Sequence, residues 1–109
     1  MEQTLLYDFY GELLTEHQKQ IYEDVVFGDL SLSEAAEEHG ISRQGVHDLI
    51  RRCDRALREY EEKLGLVEKF EKNHAILQEI HQLANRFEET GDRTCVRRIA
   101  ELSQEMGEM

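Results

Sequence analysis

An apolar repeat in the middle of the chain restricts the fold more than any other feature of the sequence. Apolar side chains return every three or four positions at Val46, Leu49, Ile50, Cys53, Leu57, Tyr60 and Leu64. This is the spacing of one face of an α-helix, and from Ser42 it lasts about six turns at 3.6 residues per turn. The sequence contains no proline, which would break such a helix. The repeat therefore predicts one long amphipathic helix.

Capping signals divide the rest of the chain into further helices. Thr15 with Gln18, and Ser31 with Glu34, match the capping box, in which the first side chain accepts from a free backbone N–H and the second reaches back. The expected helices cover residues 4–14, 16 to about 27, 32–39, 43–64, 66–87 and a last segment through Met106, after a turn at 89–92. We therefore predict an all-α fold with about six helices and no sheet.

Residues 32–51, LSEAAEEHGISRQGVHDLIR, have the spacing of a helix-turn-helix. Ala36 is small where the second helix must cross the first, and Gly40, four positions later, permits a left-handed turn. Ile41, Val46 and Leu49 are expected to fill the wedge between the two helices. The segment predicts a compact helical corner, a motif that also occurs in proteins that bind no nucleic acid.

The start of the second helix carries the side chains that such a motif presents to a ligand. Ser42 caps this helix, so that Arg43, Gln44 and His47 project from its first turns, where base edges or phosphates would be met. The candidate nucleic-acid-binding residues are Ser42, Arg43, Gln44, His47, Arg51, Arg52 and Arg55. For the later arginines, two interpretations stay open: phosphate contact, or a solvated face that pairs with neighbouring acids.

The charge of the chain is unevenly distributed. The net charge is −11, and an acidic surface repels a phosphate backbone. Residues 1–41 contain ten acids and one lysine, and residues 59–109 contain twelve acids and seven bases. Residues 42–58, in contrast, contain five arginines and two aspartates. One basic helix on an acidic body predicts local, weak or partner-assisted contact with nucleic acid.

The length of the chain, and Gly65 directly after the long apolar repeat, favour one small domain with a helical extension. A chain of 109 residues can bury a modest core without disulfides. We expect a helix-turn-helix domain with an extended recognition helix at residues 1–64, and a C-terminal helical extension at 65–109 that packs on it or on a second subunit. Asn73 is the one polar residue on an apolar face of that extension and could set the register of a homodimer.

Cellular location follows from what the sequence lacks. No apolar stretch approaches the roughly 20 residues that span a bilayer, and the first residues carry acids where a signal peptide carries bases. Cys53 and Cys95 lie in helical patterns without the spacing of zinc ligands, and we expect buried free thiols. A cytoplasmic protein is the prediction.

Motifs for catalysis and for metal binding are missing from the sequence. His74 and His81 are two helical turns apart, too far for one helical face to close a zinc site, and no HExxH or CxxC is present. Pairs of neighbouring acids are typical of helix surfaces. There is no glycine-rich phosphate loop and no Gly-x-Ser-x-Gly motif. We predict that the protein is not an enzyme and holds no metal or cofactor.

The runs that carry the clearest resemblance lie between residues 5 and 87. Residues 13–57 resemble region 4 of sigma factors. With the runs FYGELLTEHQ, ISRQGVHD and YEEKLGL, the chain more closely resembles the YlxM family of proteins associated with the bacterial signal recognition particle. This resemblance implies a regulatory protein of that pathway, with DNA or the RNA of the particle as ligand and the particle's proteins as further candidate partners.

The sequence is compatible with two classes of function. The first is a nucleic-acid-binding regulatory protein, which the arginines of residues 43–58 favour. The second is a non-catalytic protein-interaction module, in which the acidic body docks on a basic protein and the helix-turn-helix is only a scaffold. The net charge of −11 favours the second class.

Overall fold

The computed structural model of the protein describes residues 2–107, and in this range the regular structure is entirely helical. The helices are α1 (Glu2–Tyr10), α2 (Glu16–Tyr22), α3 (Leu32–His39), α4 (Arg43–Leu64), α5 (Leu66–Thr90) and α6 (Arg93–Gly107). A 3₁₀ turn, Gly11–Leu13, follows α1, and a π turn, Glu23–Phe27, continues α2. The predicted all-α fold is confirmed.

The capping predictions are confirmed in detail. The Thr15 hydroxyl accepts from the backbone N–H of Gln18, and the Gln18 side chain accepts from the backbone N–H of Thr15. Ser31 and Glu34 form the same reciprocal pair at the start of α3. Gly40 ends α3 with a φ of 67°, a left-handed conformation that favours glycine. These local signals therefore fix where α2 and α3 begin and where α3 ends.

Two helix boundaries differ from the sequence prediction, and the second helix ends near Phe27 as predicted but changes its type on the way. Helix α1 ends at Tyr10 instead of residue 14, and the Tyr7 ring covers Gly11 so closely that a Cβ there would lie 2.9 Å from it. The segment after Tyr22 widens into the π turn, closed by the Gly28 N–H donating to the Glu23 carbonyl at 2.8 Å. Helix α5 continues to Thr90, because the next left-handed residue is Gly91, at a φ of 69°.

The chain divides into two compact units, residues 1–65 and residues 66–109. In the first unit, α3 crosses α4, and Ala36 lies in a buried cluster with Ile21, Ala35 and Val46. The predicted wedge residues Ile41 and Leu49 pack against this cluster, together with Val25, Leu32 and Ile50. The predicted burial of Ala36 at the crossing is confirmed.

Tyrosine hydroxyls attach α1 and α2 to α4. The Tyr22 hydroxyl donates to Asp54 Oδ1 at 2.6 Å, and the Tyr10 hydroxyl donates to Glu61 Oε1 at the same distance. Both rings are almost fully buried. Tyr7 stacks on Tyr22 with ring centroids 5.3 Å apart. Burial and the hydrogen bond to Asp54 raise the pKa of Tyr22, so this hydroxyl stays a donor at neutral pH. The long helix is thus braced at two points, two turns apart.

In the second unit, α5 and α6 pack on each other as a helical hairpin. Cys95 is buried there and Cys53 is buried in α4, which confirms the prediction of two buried free thiols. Arg98 of α6 pairs with Glu79 of α5 at 3.6 Å. The Asn73 side-chain oxygen is buried without a hydrogen-bond partner within residues 2–107. Across that range no helix combines the length and apolarity that crossing a membrane requires.

Enlarging Ala36 tests the crossing of α3 and α4. Replacing Ala36 with Leu adds three carbons to a packed cluster and should destabilise the protein by roughly 1–3 kcal/mol. Urea denaturation followed by circular dichroism measures the change. Glu37→Leu, at the exposed neighbouring position, is the control and should alter stability by less than about 0.5 kcal/mol. Equal stability of Ala36→Leu and the wild type would contradict the packed crossing.

Alkaline pH should destabilise the first unit. Burial, and secondarily Asp54, raises the pKa of Cys53 from 9.0 to about 11, and the pKa values of Tyr7 and Tyr22 are also raised from 10.0. The unfolded chain therefore loses these protons first. The free energy of unfolding should be unaffected below about pH 9, fall from pH 9 to 11 because of Cys53, and fall further above pH 10 because of the tyrosines. Urea midpoints from pH 8 upward measure the fall, and Tyr22→Phe should make it shallower above pH 10. A flat profile would contradict the burial of these groups.

Candidate nucleic-acid interface

The turn between α3 and α4 is held by backbone and side-chain hydrogen bonds. The Ile41 N–H donates to the Ala36 carbonyl at 3.1 Å, and the Gly45 N–H donates to Ser42 Oγ at 2.9 Å. Ser42 is thus the N-cap of α4, as predicted. These bonds fix the direction in which α4 begins after the connection from α3.

The predicted contact residues of the first turns lie together. Arg43, Gln44 and His47 are exposed and surround one shallow depression, whose fourth wall is Leu32 of α3. Gln44 Nε2 donates to Asp48 Oδ1 at 3.0 Å, and His47 Nδ1 lies 3.8 Å from the same oxygen. Asp48 therefore orients the Gln44 side chain, which sequence reasoning missed although the i, i+4 spacing of Gln44 and Asp48 signals such a pair.

The later arginines do not form a single row. Arg51 and Arg55 lie beside a second depression further along α4, where Arg58 joins them with three acidic side chains, Asp54, Glu59 and Glu62. Arg52 lies about 100° around the helix from Arg51 and borders a different depression, between the first turn of α2 and α4. The structure therefore brings Arg51 and Arg55 together on one face and places Arg52 on another.

Two acids of α4 are hydrogen-bonded to groups other than its arginines. Asp54 accepts from the hydroxyl of Tyr22 and from the Gln3 side chain, and Asp48 accepts from Gln44. Within residues 2–107, no carboxylate oxygen lies within 4.0 Å of a side-chain nitrogen of the five arginines of α4. The structure therefore leaves these guanidinium groups available to an external anion.

The helix before the turn carries the opposite charge. In a helix-turn-helix bound to DNA, the first helix crosses the phosphate backbone, and here that helix, α3, exposes Glu34, Glu37 and Glu38. The hydrogen bond from the Ser31 N–H holds the pKa of Glu34 below its usual range, so this carboxyl is ionised at neutral pH. Within this motif, favourable contact with a polyanion therefore falls on α4 and not on α3.

This arrangement defines a helix-turn-helix protein with an unusually long second helix. A model of the family described as "Putative helix-turn-helix protein, YlxM / p13 like" matches residues 1–94. The chain is also 45% identical over 82 residues to a UPF0122 protein of Symbiobacterium thermophilum, covering 75% of this chain and 77% of that one. A relative from Halalkalibacterium halodurans is 47% identical over 81 residues, 74% of each chain.

The protein therefore belongs to the YlxM/p13-like helix-turn-helix family, as the sequence predicted. A third relative, from Geobacillus kaustophilus, is 42% identical over 86 residues and covers 79% of this chain and 78% of its own. The family description names a helix-turn-helix and no catalytic activity.

The N-cap of α4 can be tested apart from any ligand. Ser42→Ala removes the acceptor for the Gly45 N–H and should cost about 1 kcal/mol of stability. Ser42→Asp keeps an acceptor and places a negative charge at the helix N-terminus, so it should match the wild type within about 0.5 kcal/mol. Ser33→Ala, an exposed serine inside α3, is the control. If Ser42→Ala were as stable as Ser33→Ala, the cap would contribute nothing to the start of α4.

Proposed function

We propose that the protein is a non-catalytic nucleic-acid-binding regulatory protein that uses α4 as its recognition helix. The observation that carries the proposal is the set of arginines on α4 that have no carboxylate partner in the described part of the chain. An unpaired guanidinium on an exposed helix is a strong donor to phosphate and to guanine. The family's helix-turn-helix assignment supports the same class of ligand.

The contacts divide along the length of α4. Ser42, Arg43, Gln44 and His47 approach the base edges, since they occupy the first turns of the recognition helix. Arg51 and Arg55 contact phosphates on one side, and Arg52 contacts a phosphate on the side nearer α2. Because the surrounding surface is acidic, only about two to four phosphates are neutralised, and binding is weak with a shallow dependence on salt.

We further propose a cellular pathway and an oligomeric state for the protein. The resemblance to the YlxM family supports a role in the signal recognition particle pathway, in the cytoplasm, with DNA or the particle's RNA as ligand and the particle's proteins as further partners. A helix cannot enter the deep, narrow major groove of duplex RNA, so RNA would be read at loops or bulges. Leu77, Phe87 and Val96 are large exposed apolar side chains of the second unit and support a homodimer.

A second candidate function rests on the acidic surface. Residues 1–41 hold ten acids against one lysine, and the exposed glutamates of α3 lie beside the recognition helix. Such a surface attracts basic proteins. In this alternative the protein is an interaction module, and the helix-turn-helix only positions its acidic helices.

A salt titration with paired arginine variants distinguishes the two functions. Arg51→Ala/Arg55→Ala should weaken binding to every sequence alike and lower the slope of log K against log salt by about 0.9 per lost duplex contact. Arg93→Ala/Arg97→Ala, on exposed positions of α6, makes the same charge change away from α4 and is the matched control. The probes are a short DNA duplex, a looped RNA hairpin and a fully paired RNA duplex, measured by fluorescence anisotropy.

Further variants separate base recognition from phosphate contact. Arg43→Ala and Gln44→Ala should change the preference among sequences, because these side chains face base edges, whereas Arg52→Ala should lower affinity uniformly. Equal effects of the α4 pair and the α6 pair would show a general charge effect and contradict the proposal. Absence of binding to all three probes, with retention of a basic protein partner, would establish the interaction module instead.

A further inference from the structure

We propose that Asp24, Glu38 and His39 form a binding site for a divalent transition-metal ion, with zinc as the ion that best fits the donors. One donor atom from each side chain lies within 4.8 Å of the other two. Within residues 2–107 this is the one group of three or more such side chains with that spacing. The sequence predicts no metal site because its histidine pairs lie along single helices, whereas these donors come from two segments.

The fold brings the three side chains together from two neighbouring segments. Asp24 belongs to the π turn after α2, and the Leu30 N–H fixes its backbone by donating to the Asp24 carbonyl at 3.0 Å. Glu38 and His39 are the last two residues of α3, immediately before the left-handed Gly40. Both segments are therefore held by backbone geometry before any ion arrives, which lowers the entropic cost of assembling the ligands.

His39 is the donor whose position is most restricted. Its side chain is only 14% exposed, and its Nε2 lies 2.8 Å from Asp24 Oδ2. The His17 ring meets the His39 ring edge-on, with centroids 6.2 Å apart. Asp24 is partly buried, whereas Glu38 is exposed. The cluster thus has two constrained donors and one that can rotate onto an ion from solvent.

The donor chemistry indicates the class of ion. One imidazole nitrogen and two carboxylate oxygens are ligands that zinc accepts at about 2.0–2.2 Å, and three protein ligands leave the fourth tetrahedral position for water. Adjacent ligands of such a site are about 3.4 Å apart, so Asp24 and His39 must separate by a few tenths of an ångström while Glu38 moves inward. Zinc takes the lone pair of Nε2, and the neutral ring then carries its proton on Nδ1. Magnesium and calcium prefer all-oxygen sites.

Glu38 separates a metal site from a purely structural contact. The hydrogen bond between His39 and Asp24 joins α3 to the π turn by itself and does not involve Glu38. Glu38→Gln should therefore leave the fold and the His39–Asp24 contact unchanged, yet weaken zinc binding by removing a charged ligand. Glu37→Gln removes the same charge from the adjacent exposed position, outside the cluster, and is the matched control.

Calorimetric titration of the full chain with zinc chloride in a non-chelating buffer tests the site. We expect one ion per chain, with affinity at least tenfold lower for Glu38→Gln and for His39→Gln and unchanged for Glu37→Gln. Titration with cobalt(II) excludes the two buried thiols as ligands, because a nitrogen–oxygen site gives no thiolate charge-transfer absorption. Magnesium at the same concentrations should produce no saturable heat.

Three results would overturn the assignment. The first is the absence of saturable zinc binding at micromolar concentrations. The second is an equal loss of affinity in Glu37→Gln and Glu38→Gln, which would indicate general attraction to an acidic surface. The third is thiolate absorption in the cobalt complex. His39→Gln can also alter folding, so circular dichroism of each variant accompanies the titration, and the difference between the two glutamate variants decides the assignment.

Discussion

The close crossing of α3 and α4 determines how the first unit is arranged. Ala35 and Ala36 are small enough for the two helices to approach, and Val46 fills the space between them. Because the crossing lies next to the turn, it also sets the direction in which α4 leaves its N-cap at Ser42. This packing determines where the exposed side chains of α4 lie, because a close-packed crossing tolerates little change in volume.

Hydrogen bonds to neutral side chains occupy two of the acids of α4. Asp54 is occupied by Tyr22 and Gln3, and Asp48 is occupied by Gln44. Had these acids instead paired with the arginines one turn away, as i, i+4 neighbours commonly do, two of the five arginines of α4 would have been neutralised. Tyr22 therefore contributes a hydrogen bond as well as packing, because its hydroxyl occupies the carboxylate of Asp54.

Most of the fold could be predicted from the sequence because its signals were local. Capping boxes, stop glycines and three- to four-residue apolar spacing depend on residues a few positions apart, and both capping boxes were found where expected. The π turn at Glu23–Phe27 and the 3₁₀ turn at Gly11 were missed, since tertiary packing around Tyr7 and Tyr22 determines them. The geometry of the candidate sites was harder to predict from the sequence. That Arg43, Gln44 and His47 share one depression follows from helical spacing, whereas the 2.8 Å approach of Asp24 to His39 joins separate segments whose spacing along the chain is arbitrary.

Ultraviolet crosslinking of the protein to nucleic acid in its native cell, followed by mass spectrometry of the crosslinked peptides, tests the role of α4 most directly. If α4 is a recognition helix, crosslinks should concentrate in residues 42–58, where five arginines outnumber two aspartates, and the recovered strand should identify DNA or RNA as the ligand. Crosslinks confined to α5 and α6, or a protein recovered with basic partners and no nucleic acid, would contradict the claim that α4 is a recognition helix.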